Sequence, residues 1–149
     1  MQRLACVPRL RGSVAALGAA LGLAVTASSL DAAEGRLGIE LNKLEDTEEG
    51  CRSLFVFDNE TGHELNRFRV DLILFDRKGV YAKQLLLDMA PLYEDKKVLA
   101  SFLLADDPCD SIGTVLINDV PWCENGAGAT VDCVKLLDVG SRTEVPLEK

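Results

Sequence analysis

Four cysteines (Cys51, Cys109, Cys123 and Cys133), one histidine (His63) and the acidic run Asp106-Asp107-Pro108-Cys109-Asp110 are the residues of this 149-residue chain whose types and spacing could do chemistry. No two cysteines stand at the Cys-x-x-Cys spacing of a thiol oxidoreductase, and the four lack the close ligand pairs of a structural zinc site. Disulfide formation is the chemistry that an even set supports. His63 follows Thr61-Gly62 in a turn composition, so any imidazole base or ligand would have to be this residue alone, and an exposed loop position is the simpler reading. The acidic run could offer oxygen ligands to calcium. It lacks the alternating carboxylates of an EF-hand loop, and Asp beside Pro is ordinary turn composition. Nucleophile-elbow, phosphate-loop and dinucleotide glycine patterns are absent. We therefore expect no catalytic residue, no metal ligand and no cofactor, and read the chain as not an enzyme. The alternatives are a calcium-binding protein and a small enzyme built on carboxylates alone, which needs paired Asp or Glu of shifted pKa in a deep pocket.

The disulfide reading depends on compartment. Arg3, Arg9 and Arg11 precede an apolar stretch from Val14 to Ala27, and no further Lys or Arg occurs before Arg36. This is the layout of a secretory signal peptide, and the run is shorter than the roughly 20 residues of a bilayer span, so no stable membrane anchor is expected. Val25 and Ala27 suit the minus-three and minus-one positions. Cleavage is placed after Ala27, with residue 33 as the outer limit and 28–36 as a flexible mature N-terminus. Cys6 lies ahead of the apolar run and cannot be a lipid-bearing cysteine. Leu10 splits Arg9 from Arg11, so general secretion to the periplasm of a Gram-negative bacterium is the simpler route. The whole chain carries a formal charge of -8, and loss of the leader arginines makes the remainder more acidic. Such a surface repels nucleic acid and anionic leaflets, and is otherwise a means of staying in solution.

From Leu37 onward short strands alternate with turns. Phe68, Val70, Leu72 and Leu74 share one face, with Arg69 and Asp71 opposite, the period of a half-buried strand. Asp76-Arg77-Lys78-Gly79 supplies a turn that Gly79 closes, and Val80 to Asp88 returns as the partner. Further strands are expected at Leu37 to Leu44, Ser53 to Asp58, Lys97 to Leu104, Ile112 to Asn118 and Val134 to Val139, with a short piece at Glu144 to Leu147. About seven short strands with no long amphipathic helix predict an all-β fold over 37–149, a single antiparallel β-sandwich of immunoglobulin-like architecture. A small barrel is the rival.

Four cysteines allow three connectivities, and spacing does not choose among them. Cys51 and Cys109 precede the second and sixth strands, which a sandwich disulfide often joins, and Cys123 and Cys133 bracket a glycine-containing loop. The pairing favoured on that basis is Cys51 with Cys109 and Cys123 with Cys133. Trp122, the sole tryptophan, ends the sixth strand beside that loop; a core position is its default, and an exposed one would make it a binding anchor. Trp122, Glu124, Asn125 and Asp132 thus form the candidate binding loop.

The segments Leu37 to Glu45, Val70 to Asp76 with Gly79-Val80, and Ile112 to Val120 resemble a family of small exported bacterial proteins labelled Tat pathway signal sequence domain proteins. Cys51 and Cys109 fall where that resemblance implies cysteine. The hairpin Phe75-Asp76-Arg77-Lys78-Gly79 is more loosely similar to immunoglobulin-like modules of bacterial envelope proteins. These resemblances imply export and fold and bring no catalytic residues. The expectation is a soluble, noncatalytic periplasmic binding or envelope-accessory module, with an unidentified protein or ligand as partner.

Overall fold

A computed structural model describes residues 35–149. The expected signal peptide, Cys6 and residues 28–34 lie outside the described residues. Among the described residues eight strands, numbered in chain order, form two four-stranded sheets. The first sheet holds β1 (Arg36–Thr47), β2 (Gly50–Glu60), β5 (Lys96–Ala105) and β7 (Leu137–Ser141). The second holds β3 (Leu65–Asp76), β4 (Tyr81–Asp88), β6 (Ile112–Asn125) and β8 (Leu147–Glu148). Across the sheets the strand orders are β5-β2-β1-β7 and β4-β3-β6-β8. The sheets bury their inward faces against each other, with Leu37, Ile39, Phe55 and Phe57 from one meeting Phe68, Val70, Leu72 and Val115 from the other. Phe57 makes an edge-on contact with Phe68 at 6.2 Å between ring centres and a tilted one with Phe55 at 6.1 Å, so one aromatic cluster spans both sheets.

The expected hairpin is present. Gly79 takes φ 76°, and the Asp76 carboxylate accepts hydrogen bonds from the backbone N–H groups of Lys78 (2.8 Å) and Val80 (2.9 Å). A second tight turn at 47–50 joins β1 to β2. There Gly50 has φ 122°, and a Cβ would run into the carbonyl of Ala105 and the backbone of Asp106. Gly50→Ala should therefore cost about 2 kcal/mol or more. A lowered urea midpoint with an unchanged slope is the expected observation.

Three expectations are corrected. The sandwich is not purely antiparallel, because β7 runs parallel to β1 and β8 parallel to β6. The reason is topological. β6 ends at Asn125 beside Leu65, at the same end where β1 starts opposite Glu60, so a chain that crosses there to the other sheet must run alongside β1 in the same direction. Second, the strand expected at Val134 to Val139 is a short helix, α1 (Cys133–Leu136), followed by β7, and the piece expected at Glu144 to Leu147 is confined to β8. Third, β6 runs to Asn125 rather than Asn118, which places Trp122, Glu124 and Asn125 of the expected binding loop in strand and leaves only Asp132 outside it.

Candidate functional site

Both disulfides pair as favoured, Cys51–Cys109 and Cys123–Cys133. Cys51 is fully buried within β2, and Cys109 sits in a 3-10 turn (Cys109–Ser111) leading into β6. The first bridge thus closes one end of the sandwich, and the Asp46 carboxylate accepts the Cys109 N–H there at 2.6 Å. The second ties β6 to the start of α1 across a turn organised by Asn125, whose side-chain oxygen accepts the N–H groups of Ala127 and Ala129 at 3.0 Å each.

Trp122 is not a core residue. Asn118 and Asp119 are both exposed, as are Pro121 and Trp122, while Val120 and Cys123 point inward. Register shifts against β3 between Arg69 and Asp71, and again between Asp71 and Leu72, break the two-residue alternation. With Cys123 held inward by its bridge, the indole is left 39% exposed on the outer face of the second sheet.

Two arginines hold it there. The guanidinium carbons of Arg67 and Arg69 lie 4.3 and 3.7 Å from the indole centre, the geometry of cation–π stacking. Each arginine is fixed on its other side. Arg67 donates to Glu124 at 2.9 and 3.2 Å. Arg69 makes a two-pronged pair with Asp88, 2.7 Å in each prong, the strongest common form of this contact. A charge-balanced row, Glu124, Arg67, Trp122, Arg69 and Asp88, therefore crosses β6, β3 and β4.

Asp71 forms the next row. Only 7% exposed, it accepts two hydrogen bonds from Gln84 (2.8 and 2.9 Å) and one from Asn118 (2.8 Å). Its cross-strand neighbour Leu86 is 57% exposed. The face thus pairs a stacked indole and an open leucine with side chains whose polar partners are already fixed. Such rigidity limits the ordering cost of binding.

Of the expected loop residues, Trp122 and Glu124 meet on this face, Asn125 holds the adjoining turn, and Asp132 pairs instead with Lys135. The sequence reading missed Arg67, Asp88, Gln84 and Asn118. Asp106, Asp107 and Asp110 are exposed, and Asp106 pairs with Lys83 at 3.3 Å. Among the described residues no group of three His, Cys, Asp or Glu side chains is arranged to hold a metal ion. His63 is exposed in its turn.

A cleft of about 310 Å³ lies on the outer face of the first sheet, lined by Arg36, Glu40, Asp58, Lys97, Asp138 and Arg142. Its carboxylates are paired with cations: Arg36 with Asp58, Glu60 and Asp138, Lys97 with Asp58, and Arg142 with Glu40. Among the described residues, the carboxylates with displaced pKa values all move downward: Glu40 through Asn42 and Arg142, Asp76 through the Val80 and Lys78 N–H groups, Asp88 through Arg69, and Asp132 through Lys135. These are carboxylates held as anions, the opposite of a general acid.

A folded-state pKa below the unfolded one contributes stability that is fully present above the unfolded value and lost as pH falls through the folded one. Thermal midpoints should accordingly hold from neutrality down to about pH 5 and fall below about pH 4. Asp88→Asn should flatten part of that fall, as read by calorimetry across the acid range.

Among the described residues no helix is long and apolar enough to cross a membrane. Compared with known protein families, with curated proteins and with solved structures, the chain matches none.

Proposed function

We propose that this chain is an exported, noncatalytic binding or envelope-accessory module of the Gram-negative periplasm. Its recognition surface is the outer face of the second sheet around Trp122. The observation that carries the reading is the exposed indole, fixed between Arg67 and Arg69 beside the open side chain of Leu86. Tryptophan and arginine are enriched among the residues that dominate protein recognition: the indole buries a large surface with only two torsions to fix, and an arginine already held by a carboxylate and a ring has less freedom left to lose. The charge balance of the row also spares a partner the repulsion of a chain of net charge -8.

The fold belongs to the same proposal. β1, β2 and β5 in one sheet, with β3, β4 and β6 in the other, follow the strand distribution of an immunoglobulin-like Greek key, from which β7 and β8 depart. Two disulfides and the basic-then-apolar N-terminus support an oxidising, extracytoplasmic setting. The kinship with exported proteins of the Tat-signal label remains part of this reading and rests on the segments quoted above.

Photo-crosslinking in the producing cell tests it. A benzophenone amino acid in place of Leu86 should give an adduct of discrete mass that is absent when the same group replaces Glu148. Equal or no adducts from both positions, in protein that is exported and folded, would contradict the assignment.

A further inference from the structure

The edges of the two sheets are managed unequally. β8 is two residues long and β7 five, and β4 carries Lys83 and Asp88. β5 is different: ten residues long, at the free edge of its sheet, with Val98-Leu99-Ala100-Ser101-Phe102-Leu103-Leu104-Ala105 containing no charge, proline or glycine. Exposed strand edges normally carry such interruptions, because an open row of N–H and C=O groups is a template for another strand. Leu99 is 61% exposed on this edge. The inward-facing Val98, Ala100 and Phe102 of β5, with Leu85 of β4, are only partly buried along the seam between the sheets.

The charges that flank this stretch indicate what covers it. Lys96-Lys97 stands at its start and Asp106-Asp107 just past its end. Lys97 and Asp106 are 71% and 80% exposed. A second β5 laid antiparallel along the first brings the lysine end of each copy to the aspartate end of the other. We propose that β5 pairs with β5 of a second copy of this chain, making a two-fold dimer with a continuous eight-stranded sheet. A register centred on Ser101 sets Leu99 opposite Leu103 and Lys96 opposite Asp106. Leu99, Ser101 and Leu103 face outward with their β2 partners Val56, Leu54 and Arg52, so pairing extends an apolar strip of Leu54, Val56, Leu99 and Leu103 across the two-fold axis. A parallel arrangement would place lysines against lysines. This inference is independent of the face around Trp122, which lies on the other sheet.

Sedimentation velocity of the purified protein, with its bridges intact, tests the proposal over a range of concentrations. A reversible dimer is expected. Leu99→Lys should make it a monomer, and Lys96→Glu should weaken association about tenfold by setting acid against acid. Adding Asp106→Lys to Lys96→Glu should restore it, which a merely structural defect would not allow. Far-UV circular dichroism confirms that each variant is folded. A wild type that is monomeric at every concentration, a dimer indifferent to Leu99→Lys, or a charge reversal that is not rescued would each overturn the proposal. So would a monomer whose β5 amides gain exchange protection only when an unrelated extended peptide is added, which would give the edge to a different partner.

Discussion

Removal of the Cys51–Cys109 bridge by Cys51→Ala with Cys109→Ala should lower the free energy of unfolding by about 4 kcal/mol. The bridge spans 58 residues of sequence, and in the chain-entropy model the denatured chain gains most when such a long loop is released. Native-state consequences add to this. Cys51 is fully buried, and the 3-10 turn would lose its covalent tie to the first sheet while keeping the Asp46 hydrogen bond to Cys109. The Cys123–Cys133 bridge closes a separation of 10 and should contribute less, about 3 kcal/mol. Guanidinium unfolding of the two double variants reads the difference. Equal losses, or a larger loss at the shorter bridge, would contradict the ranking.

Phe57→Ala should cost about 3 to 5 kcal/mol. Phe57 is 2% exposed and touches Phe55 within its own sheet and Phe68 across the interface. Its truncation leaves a void between two sheets that β-sheet geometry prevents from closing fully. Val80→Ala, in the exposed turn between β3 and β4, should stay within about 0.5 kcal/mol by comparison. A midpoint for Phe57→Ala close to that of wild type would mean that the aromatic cluster does not bind the sheets together.

The hairpin over Phe68 to Asp88 was legible because alternation, an Asp-to-Gly turn and renewed alternation all point to one local structure. The cysteine pairing was one of three possible and was favoured by where the strands were expected to lie. What escaped the sequence reading is non-local or depends on irregular registers. Shifts between Leu74 and Phe75 in the hairpin set Arg69 opposite Asp88, a pairing that a regular hairpin from the same turn does not give. Likewise Trp122 faces outward because it directly precedes inward-facing Cys123 on a strand that runs to Asn125, and the shorter expected strand hid that alternation. The polar alternation of Arg67, Arg69 and Asp71 on β3 was the available signal for this face, and only the cross-strand placement of Glu124, Trp122 and Asp88 gives it meaning. The helical turn at Cys133–Leu136 was hidden because Val134 and Leu136 suit a strand as well as a turn of helix.

The most direct test of the recognition face is a calorimetric titration of the partner captured by crosslinking at Leu86, against wild type, Trp122→Ala and Arg69→Ala. All three proteins should share a thermal midpoint to within a few degrees, because the row lies on the surface. The expected result is that both variants bind at least about tenfold more weakly, since truncating a central aromatic or arginine anchor costs 2 kcal/mol or more. Unchanged affinity in folded Trp122→Ala would show that the partner is held elsewhere and that the arginine-stacked indole serves only the sheet.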